Sequence, residues 1–464
     1  MAVTESPRQE AGLIREKRVM RRLTSGLCAG IAVAATLAGG LVAVKAAEPA
    51  APTFSRDIAP IFVEKCQDCH RKGQMAPMSL VSYEEVRPYA RGIRQKVVTR
   101  AMPPWHLDDT VGIQDFKNDR SLSSAQIDTI ARWVDAGAPQ GNPADMPAAK
   151  AWPRDDVWRL NDVYNRPPDL IVKSTPWTQA AQGQDQWWQP VVDTGLTEDR
   201  WVQGIEIRPS MIGRQVVHHV VSNLVQNEDN YGAVEVPGGG GYFSEFAVGK
   251  IGDVFRENTG KLMKAGSKIR FDIHYHSVGK EITDSSEIAV WFYPKGVTPK
   301  YRVFPQAMGV QDAMRTFDLP PGTATTHDAY VTLPEPARLE NFQPHMHVRG
   351  KAMSMEAIYP DGRVEMLSYV NRFEFNWHVN YVYADDAAPV LPKGTIIKIK
   401  AWHDNTAANR ANPDSTQWIG WGQRSFDDMY HAHVNVTYLT QEDYDKIVAD
   451  RKKAKAAAVV SRLQ

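Results

Sequence analysis

Cys66-Gln67-Asp68-Cys69-His70 spells the five-residue pattern of covalent c-type haem attachment. Two cysteines on one turn can each form a thioether to a haem vinyl group, and the histidine that follows is then held against the iron as an axial ligand. Working outward, Pro60-Ile61-Phe62 reads as part of a short helix that ends in the motif. Ser121-Leu122-Ser123-Ser124 caps a second helix, in which Ile127, Ile130, Ala131 and Val134 recur at helical spacing. That helix stops at Gly137-Ala138-Pro139, so residues 52–140 are expected to form one small all-α domain. The bland alternative for the cysteines is a CxxC redox pair or a zinc half-site; the flanking sequence on both sides favours haem.

His70 needs a partner across the haem, and methionine is the usual choice in electron-transfer cytochromes. Met75 and Met78 lie too near the motif for the chain to wrap comfortably around the ring edge. Met102, in Arg100-Ala101-Met102-Pro103-Pro104, lies farther on in a loop stiffened by proline. Met102 is the expected ligand, with His106 as its rival and loop packing as the ordinary role of such a methionine. The arrangement, including the closing helix that ends in Trp133-Val134, resembles the small class I cytochrome c domain.

Composition fits this reading. Lys+Arg and Asp+Glu both number 54 in 464 residues, which gives no reason to expect nucleic acid as a partner. Arg15, Lys17, Arg18, Arg21 and Arg22 precede an uncharged run from Leu23 to Val44, with a cleavage-like Val44-Lys45-Ala46. Residues 1–47 therefore read as a signal peptide, or as an N-terminal anchor if uncleaved, which would be the one route to a membrane. Export implies a periplasmic protein. Cys28 lies in the exported leader, so the mature chain keeps only the two haem cysteines and has none for disulfides.

Gly137 to Pro153 is rich in Pro, Ala and Gly, and residues 141–155 are expected to be a linker. Beyond it, short β-rich runs separated by turn signals predominate, among them Trp201–Ile207, Val216–Val225, Lys268–His276, Glu287–Tyr293, Thr395–Trp402 and His431–Tyr438. This spacing predicts two antiparallel β-sandwiches, over 156–310 and 311–440, with a charged helical tail over 441–464. Gly238 to Gly241 reads as a flexible loop, since it lacks the strand-to-helix setting of a phosphate cradle.

The histidines of this β-region cluster as His218-His219, His274-Tyr275-His276 and His345-Met346-His347. Residues i and i+2 share a strand face, so His345 and His347, or His274 and His276, can chelate one ion. Adjacent His218 and His219 point oppositely on a flat strand, and joint ligation requires a strand end, twist or bulge. A single such pair is more often a packing feature; three in one region are less easily dismissed. Ser425-Phe426-Asp427-Asp428-Met429 adds a soft thioether, which favours copper over zinc. A zinc hydrolase would need a glutamate base beside the histidines, as in HExxH, and none is evident.

The β-region resembles the type II copper, ascorbate-dependent monooxygenases, the peptidylglycine α-hydroxylating and dopamine β-hydroxylating family. The resemblance covers about 200–440 and includes His347-Val348-Arg349-Gly350-Lys351. It implies two jelly-roll sandwiches with one copper in each. The first copper would be an electron relay held by His218, His219 and His274. The second would be a catalytic, dioxygen-binding copper held by His345, His347 and Met429. His276 and His431 are extra histidines on the same faces, and His403 is a candidate for support behind the ligands; His327 and His378 give no signal. The family's disulfides and peptide-anchoring residues have no counterpart here, so no substrate carries over.

The two halves together imply an exported copper monooxygenase acting on a small organic substrate and dioxygen. Electrons would enter through one covalent haem c, supplied by ascorbate or a periplasmic redox protein. Trp152, Trp158, Trp177, Trp187, Trp188 and Trp201 crowd the region between the modules, where packing is their ordinary role. The alternative is a non-catalytic copper-binding or electron-transfer protein using the same ligands.

Overall fold

The computed structural model describes residues 51–74, 76–154, 156–227, 241–247, 250 and 252–463. The expected leader and most of the Gly238–Gly241 run lie outside these residues, as does Met75. The description concerns the unit that begins at Ala51.

At the N-terminal end of this unit, helices Ala59–Lys65, Ala90–Val98 and Ser124–Asp135 enclose a small core of Phe54, Phe62, Ile93, Ile130 and Trp133. The last helix starts where the sequence places it. Ser123 Oγ accepts from the Gln126 amide at 3.2 Å while Gln126 Oε1 accepts from the Ser123 amide at 2.9 Å. This reciprocal cap satisfies two otherwise unpaired donors.

The rest is mostly β-sandwich. In the first half, a sheet containing Arg200–Arg208 and Glu287–Phe292 faces one containing Val217–Val225, Gly241–Ala247 and Lys268–Tyr275. Val202, Ile205, Ile288 and Val290 from one meet Val220, Phe243, Phe271 and Ile273 from the other, because alternate residues of each strand point inward. In the second half, Tyr301–Met308, Asn341–Met346 and Tyr430–Tyr438 face a sheet of Ala324–Thr332, Gly350–Ile358, Val364–Val370 and Ile396–Asp404. Gln441–Leu463 forms the helical tail. Among the described residues no helix is long and apolar enough to cross a membrane.

Two features go beyond the sequence reading. Tyr301–Met308 falls before the expected boundary at 310, yet it pairs along its length with Tyr430–Tyr438 and also runs parallel to Thr259–Met263. One sheet thus passes from the first half into the second. The segment after Met102 also leaves the helices and lies along the second sandwich. Asp108 N donates to Tyr369 O, Ile113 N to Leu367 O and Lys117 N to Val382 O, at 2.8–2.9 Å. Trp105 packs edge-on against Tyr381 with ring centroids 4.7 Å apart.

Candidate metal centres and the cavity between them

The Cys66–His70 stretch occupies the turn at the end of Ala59–Lys65. Cys69 N and His70 N both donate to Cys66 O, at 3.2 and 3.0 Å, which sets the two thiols one turn apart. Neither cysteine is in a disulfide, and burial pushes the Cys66 thiol up to about 12. His70 Nδ1 donates to Met78 O at 3.2 Å, fixing the tautomer that leaves Nε2 with its lone pair. This is the form a haem-ligating histidine requires. The Met78 carbonyl therefore lies behind the ring, away from Nε2. Met102 follows helix Ala90–Val98, half-buried, with its amide on Lys96 O at 3.2 Å. His106 is drawn to the second sandwich instead: its amide donates to Tyr381 Oη at 3.2 Å, and burial, aided by Arg372, pushes its imidazole down to about 4.

The His218-His219 pair meets its geometric requirement. Strands Val217–Val225 and Lys268–Tyr275 pair His274 with His219 and then Tyr275 with Val217, leaving His218 as the extra residue of a bulge. Both rings consequently turn toward His274, with centroids 5.2 and 4.9 Å from it. One ring nitrogen from each of the three lies within 4.8 Å of the others. Asp185 accepts from His274 Nε2 at 2.9 Å, His276 Nδ1 at 2.8 Å and Ser425 Oγ at 3.0 Å. Burial would raise the Asp185 carboxyl, but the two imidazole donors outweigh it and hold it well below the usual range. The structure thus brings His274 into the set, its Nδ1 facing inward without a partner, and leaves His276 exposed beside Asp185. Trp187 stacks on His274 at 4.5 Å.

The second set lies across strands Asn341–Met346 and Tyr430–Tyr438, where His345 is opposite His431 and Gln343 opposite His433. His345 and His431 stack with centroids 4.6 Å apart, and His347, just past the strand end, is 5.6 Å from His345. Asp428 binds this corner together. Its Oδ1 accepts from the amides of His347 and Met429, each at 2.9 Å, and its Oδ2 from the Arg349 amide at 3.0 Å. Burial would raise this carboxyl as well, but His403 and the His347 amide help hold it below its usual value. Arg349, fully buried, donates to Asn405 Oδ1 at 3.0 Å and to Phe426 O at 2.8 Å, lacing the His345–Arg349 stretch to the Ser425–Met429 loop. His403 Nε2 donates to Met429 O at 3.3 Å, a supporting position of the kind expected for it.

A cavity of about 420 Å³ receives His219 from the first set and His345, His347, Met429, His431 and His433 from the second. His378 and Glu245 were not legible as site residues. His378, from the loop before Tyr381, lies 4.5 Å from His345 and 6.0 Å from His218 by ring centroids. It has no histidine neighbour in sequence to mark it. Phe375 of the same loop stacks on His218 at 4.8 Å.

Desolvation keeps His218, His431 and His347 neutral, pushing the first two down to about 3 and His347 to about 4. Neutral imidazoles are the ligating form. His274, His345, His431 and His433 each bury an Nδ1 without a hydrogen-bond partner, and His378 buries both nitrogens that way. Each such atom costs about 1–3 kcal/mol if left unsatisfied. A bound metal would remove that cost, so the donor set fits metal ions.

No protein-family model and no curated protein matches the chain. Among solved structures it is similar to recombinant peptide:N-glycanase F, at 11% identity and TM-score 0.25, over 59% of this chain and 96% of that one. It is also similar to PNGase F, a glycosylasparaginase from Flavobacterium meningosepticum, at 12% identity and TM-score 0.23, over 58% and 96% of the two chains. A third is the VP2 subviral particle of infectious bursal disease virus, at 11% identity and TM-score 0.18, over 59% and 73%. At these TM-scores the likenesses carry no argument about this chain's chemistry.

Proposed function

We propose that the protein is an exported haem- and copper-containing monooxygenase that hydroxylates a C–H bond of a small organic substrate, with electrons entering through the haem. In this reading a cytochrome c domain over 52–140 precedes two jelly-roll sandwiches. Cys66 and Cys69 carry the haem, and His70 and Met102 hold its iron. His218, His219 and His274 hold one copper, and His345, His347 and Met429 the other. Ascorbate or a periplasmic redox protein supplies the electrons.

The observation that carries this reading is the shared cavity, which takes His219 from one sandwich and His345, His347 and Met429 from the other. A volume of about 420 Å³ suits a small organic molecule. Copper bound there would supply one-electron redox chemistry and activation of dioxygen. The chain's own residues supply the setting. Asp185 accepts from His274 Nε2 and so directs Nδ1 inward, Asp428 fixes the backbone of both His347 and Met429, and Phe375 and Trp187 stack on rings of the first histidine set. The Met429 thioether favours copper over zinc.

One observation favours the alternative of a non-catalytic copper-binding or electron-transfer protein. A nitrogen each from His345, His431 and His433 lies within 4.8 Å of the others, so these three could ligate an ion without Met429. Metal analysis of protein made in a periplasm, followed by dioxygen uptake with a reductant, separates the readings. Two coppers and one haem per chain with reductant-dependent uptake are expected. Stoichiometric zinc in place of copper, or copper without uptake, overturns the proposal. Within it, photoreduced haem should reoxidise faster in copper-loaded than in copper-free protein.

A further inference from the structure

Strand Gly241–Ala247 of the first sandwich turns Glu245 into the interior, where it is 1% exposed. Its Oε2 accepts from Gln343 Nε2 at 2.7 Å and lies 3.5 Å from His433 Nε2. Its Oε1 has no hydrogen-bond donor and lies 3.9 Å from His378 Nδ1. His378 is 2% exposed, and neither of its ring nitrogens has a partner. The buried Lys250 is committed to Asp253 at 3.0 Å, and it reaches the Gln343 side-chain oxygen, at 3.4 Å.

A bare carboxylate oxygen beside an imidazole with two bare nitrogens is a costly arrangement in a dry interior. Protons alone do not resolve it. A proton on His378 Nδ1 would still face Oε1 across 3.9 Å, beyond hydrogen-bond length, and Nε2 would remain bare. A cation between the groups satisfies them together. Ligand atoms about 2.0–2.1 Å from one tetrahedral ion stand about 3.4 Å apart. Glu245 lies 3.5 Å from His433 and 3.9 Å from His378, and one ion held by all three would draw the two rings together.

We propose that Glu245, His378 and His433 hold a third, structural metal ion, zinc in type, that cross-links the two sandwiches. Two imidazoles and a carboxylate without sulfur suit a borderline divalent ion, and a buried three-ligand set is closed by one further small ligand. Gln343 orients the carboxylate from behind. It is a His345 nitrogen, not one of His433, that lies within 4.8 Å of both Glu245 and His378. A neutral imidazole offers one lone pair, and the copper reading above uses that of His345. The choice of His433 over His345 therefore rests on that reading, whereas the Glu245–His378 pair does not.

The test counts metals in full-length, haem-loaded protein supplied with copper and zinc and then dialysed. Wild type should retain one zinc, which Glu245→Gln and His378→Asn each lose while copper and haem stay at wild-type levels. His345→Ala should keep the zinc. Zinc retained in both Glu245→Gln and His378→Asn, or absent from wild type, overturns the site, and zinc lost from His345→Ala overturns the assignment of His433. Should either of the first two variants lose its haem spectrum through misfolding, zinc X-ray absorption on wild type decides. Two imidazoles with oxygen and no sulfur are expected, and a sulfur shell sinks the proposal. Failure of the copper reading would show differently, as missing copper with the zinc pattern intact.

Discussion

His219 and His345, carried on strands of different sandwiches, stand edge to face with ring centroids 5.9 Å apart. The two histidine sets are therefore neighbours across a common cavity, and His378 bridges them from a loop. The continuous sheet ties the two halves together, because Tyr301–Met308 pairs with a strand of each.

Asp185 should matter to the first centre without touching its metal. It holds His274 Nε2 at 2.9 Å, and Asp185→Ala frees the ring to turn. Copper affinity at the three-histidine set should fall about 10–100-fold, as for other carboxylates behind metal-bound histidines. Copper titration followed by electron paramagnetic resonance checks this; unchanged affinity would show that Asp185 only links the two halves through Ser425.

Met429→Leu keeps the side-chain volume and removes the sulfur. The cost in stability should stay below about 1.5 kcal/mol. Copper X-ray absorption of the reduced protein should lose its sulfur scatterer, and reductant-driven dioxygen uptake should collapse. A persistent sulfur signal would place another methionine on the copper.

Cys69→Ala should leave haem attached through Cys66 alone, with one vinyl group unreacted. The pyridine haemochrome band then shifts to longer wavelength than in wild type. An identical band in both proteins would mean that Cys69 carries no thioether.

His106 gives a pH dependence with a definite sign. Its folded value, about 4, lies below the ordinary 6.5, so the unfolded chain binds more protons between those limits. The stability tied to neutral His106 is complete above about pH 6.5 and drains away as pH falls toward 4, a loss on the order of 3 kcal/mol. His106→Asn should flatten the profile of melting temperature against pH in that window. Parallel wild-type and variant profiles would contradict this.

Much of the molecule was readable from local chemistry. The spacing Cys66–Cys69–His70, the cap at Ser123 and the alternation in Val217–Val225 or Tyr430–Tyr438 lie within a few residues, and propensity and periodicity act at that range. The grouping of His218 with His219 was readable only as a condition, that the strand must end, twist or bulge there. Whether it did depended on the register against Lys268–Tyr275, some fifty residues away in sequence. Register is set by which faces the two sheets bury, and no single strand encodes that choice.

The sequence by itself determined the Cys66–His70 pattern, the β-rich character of the larger part and most of the candidate ligands, because each is a matter of residue type and short spacing. Tertiary structure alone decided that His219 of the first set shares a cavity with the second set, and that His274 rather than His276 faces inward. It also decided that Glu245 and His378 meet and that the chain around His106 lies along the second sandwich. These contacts join positions far apart in sequence, and their geometry comes from how the sheets twist and pack, a property of the whole fold.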